Sequence, residues 1–553
     1  MKRVGDAPPH PPGPLSPPPG RLARCRTPWA HYDSTVQEYS FRTEPFAHQR
    51  EEWLASRDAE ARAIFWEQGT GKSKLTIDTA GWLWAQGRID AVVVVAPNGV
   101  HRNWVVEELP KHLPEGILAR TRMHTYQTVK AGTKWHQSAV KDVLHHRGLA
   151  ILAMSYDAVM TEPGRKTLWD FLKKRRCLYV ADEARRIKTP GAKRTKRMVA
   201  SGKYAPYRRI LNGTPVPNSP FDLYSQLRFL HEKFWLPHSI GSFEGFKTVF
   251  GVFRTGYNGK GKEYKVAVDY QNVPRLKQIV DTIGTRVTKE DVLDLPPKIF
   301  TRRSFDLAPR QRQIYDQLRE EYMLWLESMV PCDRCGVEEP EGLEGTCARC
   351  GGEREIRQSK LVTAGMALVR LLRLQQVACG YLSPDGEDEP AVDIVTPNPR
   401  LELMRELALD LPHSGIIWAR FRRDIDLIME MLKAEKVEAV RYDGKVDDDG
   451  RALALERFQE KRDAQFFVAN PVAAGEGLTL TAARSVYYYS NGFDLSVRLQ
   501  SEDRAHRIGQ EFPVDYTDII ATGTVDEIIV RSQERKFNVA AQITGDALRE
   551  WVS

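Results

Sequence analysis

Gly69-Thr70-Gly71-Lys72-Ser73 is the stretch of this 553-residue sequence best suited to chemistry. Two glycines can turn backbone N–H groups inward on a phosphate, and a helix starting at Lys72 adds the partial positive charge of its N-terminus. Lys72 offers a mobile cation to β- and γ-phosphates, and Ser73 offers a hydroxyl to Mg²⁺. Trp66 stands where such a loop usually has its first glycine. Farther on, Leu178–Glu183 closes an apolar run with two acids. Asp182 suits Mg²⁺ and Glu183 suits a base that orients water, although a solvated strand end carries the same pair. Gln49 lies roughly twenty residues ahead of the loop. Its amide both donates and accepts, which fits the edge of adenine.

Three further clusters carry chemistry. Gln500, Arg504 and Arg507 fall at helical spacing. They can serve as a surface helix, or as arginine fingers reaching the γ-phosphate held by another lobe. Cys332-x2-Cys335 and Cys347-x2-Cys350 are separated by eleven residues. Four thiolates so spaced suit tetrahedral Zn²⁺, and a site filled by sulfur is structural rather than catalytic. From Arg185 to Arg209 there are ten Lys or Arg residues and no acid, a candidate track for a phosphate backbone.

These residues need elements to hold them. Apolar runs at Ala63–Trp66, Ala91–Ala96, Leu149–Met154, Leu178–Ala181 and Ile210–Leu211 read as strands alternating with helical patterns, those at Ala91–Ala96 and Leu149–Met154 buried on both faces. A second series begins at Gly415 and continues through Glu438–Tyr442, Gln465–Ala469 and Ser485–Tyr489, with no phosphate loop of its own. Each series predicts a doubly wound α/β unit. Residues 231–300 are rich in aromatics and Lys and lose this rhythm, which predicts a helical insertion. Eight prolines between Pro8 and Pro19 predict an extended or disordered tail.

With 42% apolar and 28% charged residues, a net charge of +8 and no apolar run long enough to span a bilayer, the sequence reads as a soluble globular chain. Its first residues lack the apolar core of a secretory signal. Seven cysteines, four of them in two close pairs, fit a reducing compartment and a metal better than a disulfide framework.

In order, these stretches resemble the Swi/Snf-type branch of the superfamily 2 helicases. WEQGTGKS resembles its motif I, VVVVAPNGVHRNW motif Ia, VADEARRIK motif II, LNGTPVPNSPFDLYSQLRFL motif III with the helix after it, and NPVAAGEGLTLTAA motif V. RVTKEDVLDLPPK resembles the exit from the family's first helical insertion, and RYDGKV with Arg457-Phe458 a strand and helix of its second lobe. QSEDRAHRIGQ is the most specific match. Arg185 stands where the family usually has His, Ala474 where Gly is common, and Thr479 where Asn is common.

The resemblance implies an α/β fold of two RecA-like, doubly wound parallel-sheet lobes. A helical insertion completes it, and the small zinc-binding module read from the cysteine spacing is not part of the family core. The resemblance implies ATP and Mg²⁺ between the lobes and double-stranded DNA across them, and a grip on phosphates implies little sequence preference. By matched position Gly69, Thr70, Gly71, Lys72 and Ser73 bind phosphate. Ser73 and Asp182 hold Mg²⁺, Glu183 activates water, and Gln49 holds adenine. Gln500, Arg504 and Arg507 sense the γ-phosphate, Gly213 and Thr214 couple the lobes, and Gly475 and Gly477 lie near DNA and nucleotide.

The expected domains are a tail at 1–40, the first lobe at 41–230, the insertion at 231–300, a helical entry to the second lobe at 301–400 with zinc at 330–352, and the second lobe at 401–553. The expected protein is a monomeric translocase, off the membrane, in a bacterial or phage-infected cytoplasm. A protein partner would dock on the zinc module or the proline tail. The alternatives are a strand-annealing or RNA-directed ATPase, and an ATP-gated DNA-binding scaffold.

Overall fold

β-Branched and aliphatic runs build the first sheet. Its strands are β1 (Ala61–Trp66), β2 (Ala91–Ala96), β3 (Thr121–Thr125), β4 (Leu149–Ser155), β5 (Cys177–Asp182) and β6 (Tyr207–Leu211). The computed structural model describes residues 39–257, 263–327, 364–382, 391–474 and 478–546. Residues 1–40 separate as one unit, nearly all of it outside the described residues, and residues 41–553 form the other. Every residue of β2, β4 and β5 is buried, because helices cover both faces of the sheet.

The stretch expected to be a helical insertion is mixed. Phe243–Phe250 and Val273–Ile283 are helices, but between them β7 (Gly251–Tyr257) and β8 (Glu263–Tyr270) form an antiparallel hairpin. Then β9 (Gly284–Val287) returns to the first sheet beside β1, pairing Ala63 with Gly284 and Trp66 with Val287. The strand order is therefore β3-β4-β2-β5-β6-β1-β9, all parallel. At four residues, Gly-Thr-Arg-Val, β9 is too short to show a period in sequence.

The second lobe begins earlier than residue 401. Its edge strand is β10 (Lys298–Phe305), inside the segment assigned to insertion and entry. After a small hairpin, β11 (Tyr381–Leu382) with β12 (Val392–Asp393), come β13 (Gly415–Trp418), β14 (Ala439–Tyr442), β15 (Phe466–Ala469), β16 (Ser485–Tyr488) and β17 (Val514–Ala521). The order is β10-β17-β16-β13-β15-β14, again parallel. Apolar clusters cover both its faces, one around Phe458 and Phe467, the other around Ile425 and Phe466.

The helix Val525–Thr544 joins the lobes. Val525 and Ile529 pack with Leu307 and Tyr315 in the second lobe. Ile543, near its other end, is buried in the core of the first. Among the described residues no helix is long and apolar enough to cross a membrane.

Candidate nucleotide site at the lobe interface

β1 delivers a fully buried Trp66 to the start of the phosphate loop, and the helix Lys72–Ala85 leaves from its end. Gly69 and Gly71 take φ of +84° and +89°, a left-handed backbone that suits glycine. At Gly71 space is a second constraint: a Cβ there would lie 2.0 Å from Gln49 Nε2. Gln49 is buried and spends its amide on the loop. Its Nε2 donates to the Thr70 carbonyl at 3.1 Å, and its Oε1 accepts from the Phe46 N–H at 3.1 Å. His48 Nε2 also meets the Thr70 carbonyl, at 2.9 Å. Gln49 thus supports the loop from within, with less of its amide left for a base than expected.

Lys72 Nζ donates to the Trp66 and Glu67 carbonyls, each at 2.9 Å. Burial pushes its pKa down, and the nearby carboxylates of Glu183, Asp182 and Asp503 oppose that shift. A cation held on carbonyls within a glycine cradle at a helix N-terminus fits a polyphosphate. Ser73 follows it in the first helical turn.

The acid pair is built with care. Asp182 Oδ2 accepts from Trp104 Nε1 at 2.9 Å, and Oδ1 accepts from the Glu183 N–H at 2.9 Å. The Tyr156 hydroxyl donates to the Asp182 carbonyl at 2.8 Å. Trp104 opens a π-helical turn, Trp104–Glu108, a distortion that collects at functional sites. Glu183 takes φ +49°, strained for a residue with a side chain. Its carboxylate accepts from Gln68 Nε2 at 3.3 Å and pairs with Arg185 Nε at 3.3 Å. Asp182 with Ser73 would hold Mg²⁺, and the fixed Asp182 carboxylate fits that ion.

Across the interface, the helix Leu495–Ala505 is anchored by Arg498, which pairs with Glu502 at 2.8 Å and with Asp518, all three buried. The helix ends at Ala505, so Arg507 lies outside it. The single helical face expected for Gln500, Arg504 and Arg507 is therefore not present. Gln500 lines a cavity of about 200 Å³ with Val472, Tyr156, Arg185 and Arg186. Arg504 and Arg507 turn to another segment, donating to the Leu478 carbonyl at 3.4 and 3.3 Å, with Arg507 also 3.1 Å from Thr479 Oγ1. Arg507 still faces the first lobe. Burial raises the Glu108 carboxyl, and Lys111 and Arg507 act against that rise.

Part of the basic stretch is spent on contacts within the protein. Lys193 and Lys196 are exposed. Arg194 pairs with Asp157 at 2.7 Å, and Arg197 donates to the Val159 and Met160 carbonyls at 2.9 and 2.6 Å. Arg209 is buried and bonds the Ser56 and Arg208 carbonyls. Gly475, Gly477, Cys332, Cys335, Cys347 and Cys350 lie outside the described residues. Among the described residues no cluster of three or more His, Cys, Asp or Glu forms a metal site.

The SNF2-related domain family matches residues 36–334. The chain belongs to the SNF2-related family. The helicase conserved C-terminal domain matches residues 400–509. This SNF2-related chain is 25% identical over 487 residues to probable ATP-dependent DNA helicase CHR12 of Arabidopsis thaliana, covering 86% of the chain and 39% of that protein. It is 25% identical over 459 residues to the DNA annealing helicase and endonuclease ZRANB3 of Mus musculus, covering 83% and 36%. It is 26% identical over 488 residues to SWI/SNF-related matrix-associated actin-dependent regulator of chromatin subfamily A member 1 of Homo sapiens, covering 86% and 40%. The chain thus spans about two fifths of the length of these curated relatives. Among solved structures, the Sulfolobus solfataricus SWI2/SNF2 ATPase core in complex with dsDNA matches with a TM-score of 0.38 at 23% identity, covering 90% of this chain and 92% of that one.

In this SNF2-related protein the residues that join the lobes include several that sequence reasoning passed over. Lys289, just after β9, is buried. Its Nζ lies 2.7 Å from Asp503 Oδ1 and 2.6 Å from the His506 carbonyl, while its N–H donates to Glu67 Oε2 at 2.9 Å. Burial lifts Asp503, but Lys289 and Lys298 outweigh it and hold the carboxyl at about 2. Arg286, within β9, binds the backbone around the phosphate loop. RVTKED contains both cations, but in Gly-Thr-Arg-Val and the turn after it nothing in the sequence marks either one.

Proposed function

We propose that this chain is an ATP-driven translocase on double-stranded DNA. The observation that carries the reading is the meeting of three parts: a phosphate cradle with Lys72, the acid pair Asp182–Glu183, and an opposing helix whose Asp503 is tied to the cradle side by Lys289.

Lys72 would bind β- and γ-phosphates, and Ser73 with Asp182 would hold Mg²⁺. Mg²⁺ bound there supplies charge neutralisation on the phosphates. Glu183 would orient water in line with the γ-phosphate, which requires Arg185 to yield its grip. Arg507 and Arg504 would meet developing charge from the second lobe as it closes. Repeated closing and opening of two lobes, each touching the backbone, would move one lobe along the duplex. Phosphate contacts carry little sequence information, so preference should be slight.

Comparing ATPase stimulation by duplex DNA, single-stranded DNA and RNA tests this. Duplex DNA should stimulate most. RNA as the best activator would favour an RNA-directed ATPase, and no stimulation by any of them would favour a DNA-binding scaffold. The cysteine pairs at 332–335 and 347–350 would hold one structural Zn²⁺, on their spacing alone. Elemental analysis finding no zinc in the purified protein would refute that site. A partner protein would dock there or on the proline tail, with the motor acting as a monomer.

A further inference from the structure

We propose that Asp546 is a positioning residue for the nucleotide site, acting through Arg286 on the backbone that enters and faces the phosphate loop. The proposal rests on the reading that this loop takes ATP.

Arg286 is a hub. Its Nε and Nη2 fork onto the Asp546 carboxylate at 2.9 and 2.8 Å. Its Nη1 donates to the Phe65 carbonyl at 2.7 Å and to the Gly213 carbonyl at 3.0 Å. Phe65 is the last-but-one residue of β1, and Gly213 lies in the turn that follows β6. One planar cation therefore fixes the spacing between the end of β1 and the turn after β6. Its next acid is Glu67, with Oε1 3.5 Å from Nη2. The carbonyl of that same Glu67 holds Lys72 Nζ, and its Oε2 accepts from the Lys289 N–H.

Asp546 reaches this hub from the other lobe's C-terminal helix. Val525–Thr544 ends at Gly545, whose φ of +83° turns the chain. The Gly545 and Asp546 N–H groups both return to the Ala541 carbonyl, at 2.7 and 3.1 Å. This cap aims the Asp546 side chain at β9. The residue lies beyond both segments that match known families. The pair is largely shielded, with side chains 15% and 17% exposed, so the fork is not a screened surface contact.

The consequence follows from the spare acid. With Asp546 neutral, the Arg286 fork loses its charged partner and is drawn toward Glu67. Glu67 then shifts from the Lys289 N–H, and its carbonyl moves with respect to Lys72. The loop's grip on phosphate should weaken, while Asp182, Glu183 and the residues across the interface keep their places. The signature is a change in KM rather than in kcat.

The test is steady-state ATP hydrolysis by the full chain with saturating duplex DNA. D546N should raise KM for ATP roughly fivefold or more, with kcat changed less than about twofold. D546E, which can still fork onto Arg286, should restore KM to within about twofold of wild type. Ile543→Ala loosens the same helix end without touching Arg286, and should lower Tm while leaving KM unchanged. A wild-type KM in D546N, or a KM shift in I543A as large as in D546N, would overturn the proposal. Failure of the wild-type chain to hydrolyse ATP at all would instead overturn the ATPase reading, and this inference with it.

Discussion

Lys289 Nζ lies 2.7 Å from Asp503 Oδ1, and this buried pair fastens the exit from the first lobe to the helix of the second that faces it. The Lys289 side chain is 2% exposed and that of Asp503 14%. Removing one partner strands a buried charge. Lys289→Met alone or Asp503→Leu alone should therefore destabilise the chain by about 3–5 kcal/mol. The double variant should recover much of that loss, because Lys298, the other cation beside Asp503, still has Glu502 at 3.9 Å. Chemical denaturation of the three variants checks it. Additive losses in the double variant would show that the two side chains do not act as a pair.

Lys72 and Glu183 separate binding from turnover. Lys72→Ala should abolish nucleotide binding or turnover, because the remaining side chains of the loop bring no mobile cation to the phosphates. Glu183→Gln should keep ATP bound and cut kcat by ~100-fold or more, since the amide cannot act as a base. Its N–H contact with Asp182 is backbone and survives the change. Equilibrium binding and single-turnover hydrolysis measure the two effects. Near-normal hydrolysis by either variant would remove the residue from its role.

Acid should loosen the interface at His506. Its Nε2 donates to the Pro296 carbonyl at 2.7 Å, and its buried Nδ1 has no hydrogen-bond partner among the described residues. Burial comes first, then the facing cations Lys298 and Lys289, in lowering its pKa to about 4, with Asp503 acting the other way. The unfolded chain takes up its proton near 6.5, so between those values the unfolded state binds more protons. Stability is complete above about 6.5 and is lost as pH falls toward about 4. From pH 7 to pH 5 this group should cost about 2 kcal/mol. His506→Gln, which keeps the donor, should show a shallower loss in urea titrations. An unchanged pH slope would contradict this account.

The basic stretch divides into two kinds of residue. Lys193 and Lys196 are exposed, whereas Arg197 satisfies two main-chain carbonyls. Replacing both lysines with Ala should reduce the log–log salt slope of duplex binding by roughly 2 without changing stability. Arg197→Ala should instead destabilise by about 1–3 kcal/mol, because two acceptors lose their donor. An unaltered slope in the lysine variant would place the DNA elsewhere.

The legible parts of the molecule are those where one residue type meets a local demand. Gly71 needs both a left-handed φ and the absence of a Cβ against Gln49, and both demands are local to a loop whose glycines are visible in sequence. The buried strands β2 and β4 carry unbroken apolar runs over Ala91–Ala96 and Leu149–Met154, so a parallel sheet could be anticipated. Arg286 and Asp546 were illegible for the opposite reason: 260 positions separate them, and each alone is an ordinary charged residue. The hairpin Gly251–Tyr270 was hidden by its aromatics and lysines, which fit a helix surface as well as a strand. Arg507 was misplaced because helical spacing was extended past Ala505, where the helix stops.

Displacement of a third strand from a DNA triplex tests the central claim most directly, because a duplex translocase strips it without separating the strands beneath. With ATP, the chain should release the third strand and leave the duplex paired, and Lys72→Ala should release none. Efficient unwinding of a forked duplex with no triplex displacement would contradict the account.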